Sequence, residues 1–177
     1  MIRLSLRCAL PALLTLTASL LPPQVLAMTQ EHEHDGGRAS TPVAPSPLAV
    51  AIDAATLERL GPRKPVQATA HGKSLSCEGF PLANVLRASN AMPTEPLRGS
   101  NGLDRYVLVT ARDGYRGLFS LAELDASLGD AEVWLVDRCD GKPLGDDDGP
   151  LRLIAPGESR PARWIRQIEA ITVIVAP

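Results

Sequence analysis

Short apolar or alternating runs, each bounded by turn residues, fill the chain after residue 47. Such runs are typical of β-strands, because successive side chains of a strand point to opposite faces. They predict strands at residues 66–70, 74–77, 105–111, 115–119, 132–138, 151–155 and 171–175. Turns at His71-Gly72-Lys73 and Asp113-Gly114 predict that the first two strands, and likewise the next two, pair as hairpins.

Apolar residues at three- and four-residue spacing predict short helices between these strands. The expected helices cover residues 53–60, 81–86, 120–127 and 160–169. Ser120 followed by Glu123 forms a capping box, and the last helix would place Trp164, Ile165 and Ile168 on one side. Because strands and short helices alternate irregularly and include hairpins, the sequence predicts an α+β fold with a mixed β-sheet.

The first residues have the pattern of a secretory signal peptide. Arg3 and Arg7 are basic, Ala9–Leu21 is apolar, and Val25-Leu26-Ala27 fits a small-residue cleavage site. A retained membrane anchor is the alternative, although the apolar stretch is short for a bilayer span. We therefore expect a signal peptide at residues 1–27 and a periplasmic or secreted protein.

Residues 28–47 contain His32 and His34 among acidic residues, then two glycines and three prolines. This composition buries little apolar surface and predicts a disordered or extended linker, with the domain occupying residues 48–177. The two histidines could form a weak Zn²⁺ or Cu²⁺ site, but a solvated tail is the simpler interpretation, so no metal ligand is assigned.

Removal of residues 1–27 would leave 20 acidic and 16 basic residues, a net charge of −4. A negative net charge does not favour binding to nucleic acid or, after cleavage of the signal peptide, to an anionic membrane. The chain also contains no Walker loop, paired-carboxylate motif or Ser-His-Asp order, so no catalytic residue is assigned.

Two cysteines, Cys77 and Cys139, remain after cleavage of the segment that contains Cys8. An even pair in an oxidising compartment favours a disulfide. Two free buried thiols, or a metal-binding or catalytic role, are the alternatives.

Four ordered segments resemble the molybdopterin-binding domain of the sulfite oxidase family. They are Glu78-Gly79-Phe80-Pro81-Leu82 with Val85-Leu86; Asp113-Gly114-Tyr115; Asp140-Gly141-Lys142-Pro143-Leu144; and residues 149–156 followed by Trp164-Ile165. The resemblance implies a sulfite oxidase-like fold and a molybdopterin cofactor. By this resemblance, Arg152 and Arg163 lie at the positions that contact the pterin phosphate in the family. The guanidinium group of an arginine suits an anionic phosphate.

The chain departs from the family at two site positions. Asp148 stands where the family has a histidine, and neither cysteine matches the family's metal-ligand position. Two hypotheses follow: an exported molybdopterin-binding oxidoreductase-like protein with a redox or protein partner, or a non-catalytic periplasmic binding or accessory module that keeps the fold without the molybdenum cofactor. In the second case Arg152 and Arg163 would be partners of the acidic residues 146–148.

Overall fold

The computed structural model describes residues 46–98 and 102–177. The expected signal peptide, and the expected linker up to residue 45, lie outside the described residues. In this part of the chain the strands are β1 (Leu48–Val50), β2 (Lys64–Ala70), β3 (Lys73–Pro81), β4 (Arg105–Ala111), β5 (Arg116–Ser120), β6 (Trp134–Cys139), β7 (Lys142–Pro143), β8 (Arg152–Ile154) and β9 (Ile168–Val175). The helices are α1 (Ala54–Glu58), α2 (Leu82–Ala88) and α3 (Leu121–Leu124), and a 3-10 turn covers Pro161–Arg163.

The strands form two antiparallel sheets. Sheet A has the order β1-β9-β4-β5, and sheet B has the order β2-β3-β6-β7 with β8 paired to β6. Every pairing between the described strands is antiparallel, so the expectation of a mixed sheet is corrected, whereas the strand-rich α+β class is confirmed. The physical reason is that parallel neighbours need a long crossover, and the three helices have only five, seven and four residues.

One apolar core contains side chains from both sheets. Val107, Val109 and Val173 of sheet A are fully buried, as are Leu135 and Leu153 of sheet B. The sheets are also joined through the backbone. The amide of Ile168, at the start of β9, donates to the carbonyl of Leu151 just before β8, at 3.0 Å.

Local sequence signals predicted the two hairpins and the caps of α1 and α3 correctly. β2–β3 and β4–β5 are paired as expected. Asp53 caps α1 by accepting from the amide of Thr56, at 3.0 Å. Both bonds of the Ser120–Glu123 capping box are present, but α3 ends at Leu124 rather than near residue 127.

The expected helix at residues 160–169 is wrong. Only the 3-10 turn forms there. Trp164 is already extended, with φ −82° and ψ 100°, and Gln167 has φ +49°, which no right-handed helix accommodates. Trp164, Ile165 and Ile168 are buried nonetheless. They lie on an extended segment beside β8, where the carbonyl of Ile165 accepts from the amide of Leu153.

Candidate functional site

Arg152, a predicted phosphate ligand, lies at the start of β8. Its Nη1 is 3.3 Å from a carboxylate oxygen of Asp148, and its guanidinium carbon is 5.9 Å from the centre of the Trp164 ring. The side chain is 15 % exposed, and its Nε is buried without a hydrogen-bond partner among the described residues. Arg152 is therefore held over an indole ring by one long ion pair.

Arg163, the other predicted ligand, ends the 3-10 turn. Its Nη2 lies 2.6 Å from Glu158 Oε1 and its Nη1 lies 3.0 Å from Glu123 Oε1. The same Nη1 donates to the carbonyl of Leu118 at 2.9 Å, and the guanidinium lies over the Phe119 ring, 4.1 Å from its centre. The arginine thus joins the 3-10 turn to β5 and α3.

These contacts bear on the alternative that the two arginines pair with the acidic residues 146–148. Arg152 does contact that loop through Asp148, whereas the partners of Arg163 are Glu123 and Glu158. A guanidinium that already binds carboxylates has fewer donors to offer a phosphate.

Cys77 and Cys139 form a disulfide, which confirms the first of the three alternatives for the pair. They are direct cross-strand neighbours on β3 and β6, and their Cα atoms are 3.9 Å apart. Cys77 is buried, with 1 % of its surface exposed. While the bridge is intact, neither sulfur is available as a thiolate.

A polar cleft of about 220 Å³ lies where three loops meet. Asp113 and Tyr115 come from the β4–β5 turn, Trp164 follows the 3-10 turn, and Asp147 comes from the acidic loop before β8. The segment leading into β9 adds Arg166. Sequence reasoning identified the turn and the acidic loop separately, but it did not bring them together, because they are distant along the chain.

Gln167 links the loops around this cleft. Its amide donates to the carbonyl of Asp148 and its carbonyl accepts from the amide of Arg112, both at 3.0 Å. Its side-chain amide donates to the carbonyl of Asp146. The Tyr115 hydroxyl donates to the carbonyl of Ala162. The walls are therefore joined to one another by hydrogen bonds before any ligand arrives.

Comparison of the chain with protein-family models, curated proteins and solved structures found no match. Within residues 46–98 and 102–177, no group of three or more His, Cys, Asp or Glu side chains is arranged to hold a metal ion. No helix in the described part of the chain is long and apolar enough to cross a membrane.

Proposed function

We propose that this protein is an exported, non-catalytic binding or accessory module with the fold of the sulfite oxidase-type molybdopterin domain. The observation that carries the proposal is that the guanidinium of Arg163 already binds two carboxylates and a backbone carbonyl of the protein. In this interpretation Arg163 stabilises the domain, and the resemblance in sequence reflects the fold rather than the cofactor.

The remaining donors also fit a molybdenum cofactor poorly. The metal of such a cofactor requires a protein thiolate in this family, and both Cys77 and Cys139 are bridged. Asp148 lies 3.3 Å from Arg152 and would repel the phosphate that this arginine is expected to bind. We therefore derive no reaction step through the cofactor.

Export is the second part of the proposal. The basic, apolar and small-residue segments of residues 1–27 support it, and a disulfide is typical of proteins in oxidising compartments. Protein recovered from the periplasm should begin at Met28, as measured by intact mass. Recovery of the uncleaved chain in the membrane fraction would contradict this expectation.

The test of the main proposal compares molybdenum content with the effect of Arg163 on folding. Protein purified from molybdenum-replete periplasm should contain no stoichiometric molybdenum. Arg163→Ala should lower the free energy of unfolding by about 1–2 kcal/mol, because it removes charge-assisted bonds and a stacking contact from a partly exposed site. Arg98→Ala is the control, since Arg98 is exposed and lies outside these contacts. Stoichiometric molybdenum would refute the proposal.

A molybdopterin-binding oxidoreductase-like protein is the second candidate. The buried Nε of Arg152, which has no hydrogen-bond partner among the described residues, favours it, because an anion could satisfy that donor. Equilibrium binding of molybdopterin to the wild type and to Arg152→Ala tests it. This candidate predicts at least tenfold weaker binding by the variant, whereas no binding by the wild type would exclude it.

A further inference from the structure

The cleft between the β4–β5 turn, the 3-10 turn and the acidic loop carries charges of both signs. Asp147 is exposed and makes no hydrogen bond or ion pair with any described residue. Asp113 uses one carboxylate oxygen to accept from the amide of Tyr115, at 2.9 Å, and keeps the other. Two carboxylates whose oxygens can still accept hydrogen bonds therefore face the cleft.

Arg166 supplies the opposite charge. Its side chain is 60 % exposed, and its one ion pair among the described residues is a 4.0 Å contact between Nε and Asp148. Asp148 also contacts Arg152 at the shorter distance of 3.3 Å. The terminal nitrogens of Arg166 therefore remain available to a carboxylate, for which a guanidinium is a bidentate partner.

The phenol of Tyr115 adds a further acceptor. Its proton is used in the hydrogen bond to the carbonyl of Ala162, which leaves the oxygen lone pairs free to accept. Together with Asp113 and Asp147 it offers three acceptor groups. An ammonium group has three N–H donors, so the cleft lining includes enough acceptor groups for one ammonium.

We propose that this cleft binds an α-amino acid, with its carboxylate on Arg166 and its ammonium on Asp113, Asp147 and Tyr115. The inference rests on the proposed function as a binding module and names the ligand class of that module. The volume of about 220 Å³ suits a molecule of this size rather than a drug-sized ligand. Because Gln167 and Tyr115 already tie the walls together, little ordering is needed on binding.

The mixed charge separates this ligand class from simpler ions. An inorganic anion would meet the carboxylates of Asp113 and Asp147, and a simple cation would meet the guanidinium of Arg166. A zwitterion pairs with both signs at once. Blocked derivatives that lack one charge should therefore bind more weakly than the free amino acid.

The experiment titrates the full-length exported protein with each of the twenty common L-amino acids, using calorimetry and two-dimensional amide NMR. The amide signals of Gln167 and Asp147 should shift for at least one of them. For the tightest, the N-acetyl and the C-terminal amide derivatives should each bind about tenfold more weakly or worse. No shift of these signals by any amino acid at 10 mM, or equal binding of the blocked forms, would overturn the inference.

Variants assign the binding to this cleft. Arg166→Gln and Asp147→Asn should each weaken binding about tenfold or more, and both residues are exposed enough for the fold to tolerate the change. Arg98→Gln and Glu95→Gln are matched controls, because both residues are exposed and neither lines the cleft. Wild-type affinity in Arg166→Gln and Asp147→Asn would contradict the site.

Molybdenum analysis of the same preparation separates the two proposals. Stoichiometric molybdenum would refute the non-catalytic module whatever the amino acid titrations show. A molybdenum-free protein that binds no amino acid would refute the amino acid site alone.

Discussion

Asp125 shows how a buried charge is kept ionised in this domain. It is 2 % exposed, and its carboxylate accepts from the amide of Leu97 at 3.2 Å and from both the amide and the hydroxyl of Ser127. Burial by itself would raise the pKa of Asp125, but the hydrogen bonds from Ser127 and Leu97 outweigh it and lower that pKa. A carboxyl whose pKa is lower in the folded state than in the unfolded state stabilises the fold at pH values above its unfolded-state pKa.

Asp125→Asn should therefore reduce the free energy of unfolding by about 1–3 kcal/mol at pH 7. The stabilisation by the wild-type carboxylate is fully present above its unfolded pKa of about 3.9 and is lost as the pH falls through the lower, folded value. The difference between variant and wild type should shrink accordingly, as measured by urea unfolding at pH 7 and below pH 3. Asp104→Asn, at an exposed carboxylate, is the control. A difference that stays constant with pH would contradict this account.

Individual residues were predictable from the sequence where their partners are near in the chain. The Ser120–Glu123 capping box was predicted because both bonds join residues three apart. The ion pair between Arg163 and Glu123 joins residues 40 apart and has no local signal. The sequence therefore placed Arg152 correctly on a strand and offered Asp148 as one alternative partner. It placed Arg163 in a helix that does not form, and it gave no sign of Glu123 or Glu158 as partners.

Gly79 matters for the pairing of β3 with β6. A Cβ atom at this position would lie 2.1 Å from the carbonyl oxygen of Leu135 and 2.7 Å from the Cα of Val136. The register of the pair shifts between Glu78 and Gly79. These contacts show that the glycine permits a close approach of two backbones.

Gly79→Ala should destabilise the domain by several kcal/mol, because the added methyl group meets backbone that cannot move without opening the ladder. Gly157→Ala is the matched control, since a Cβ at Gly157 has no atom within 4 Å. Thermal and urea unfolding of both variants measure the difference. Equal stability of the two would show that β6 shifts freely. If Gly79→Ala does not accumulate as soluble protein, the soluble yields of Gly79→Ser and Gly157→Ser are compared instead. Gly79→Ser should give the lower yield.

The disulfide makes a second element-scale contribution, because it closes a sequence separation of 62 residues. In the chain-entropy model such a link destabilises the unfolded chain by about 4 kcal/mol. Cys77→Ala with Cys139→Ala should therefore unfold at a lower urea concentration than the oxidised wild type. Reductant should shift the wild type towards the double variant and leave the variant unchanged. A double variant as stable as the oxidised protein would contradict the model.

Elements were predictable when the signal was confined to one turn, as in the β2–β3 and β4–β5 hairpins. The segment at residues 160–169 shows the opposite case. Its apolar spacing fits a helix, but Gln167 takes φ +49° and bonds to the acidic loop and to Arg112. Burial beside β8 satisfies the same apolar residues in an extended form, so tertiary contacts override the local pattern.

At the scale of the whole molecule, neither the cleft nor the two-sheet arrangement could be predicted from the sequence, for one physical reason. Both depend on which distant loops become neighbours after the sheets pack. Composition correctly indicated that aliphatic side chains fill the core, because the chain has only two Trp, two Tyr and two Phe residues. It contained no information on how many sheets share that core.

The shared core predicts that sheets A and B unfold together. Trp134, on β6, reports on sheet B, whereas far-ultraviolet circular dichroism reports on all strands. Trp164 donates to the carbonyl of Ala155 just after β8 and also lines the cleft beside the β4–β5 turn, so Trp164→Phe is the background in which the fluorescence is measured. Val109→Ala removes buried volume from β4 in sheet A and should cost about 2 kcal/mol. One core spans both sheets, and β9 is hydrogen-bonded to the residue just before β8. The variant should therefore lower the urea midpoints of fluorescence and of circular dichroism equally. Thr110→Ala, at the neighbouring position outside the buried face, is the control. A fluorescence midpoint that stays at the wild-type value while the dichroism midpoint falls would show that the two sheets unfold independently.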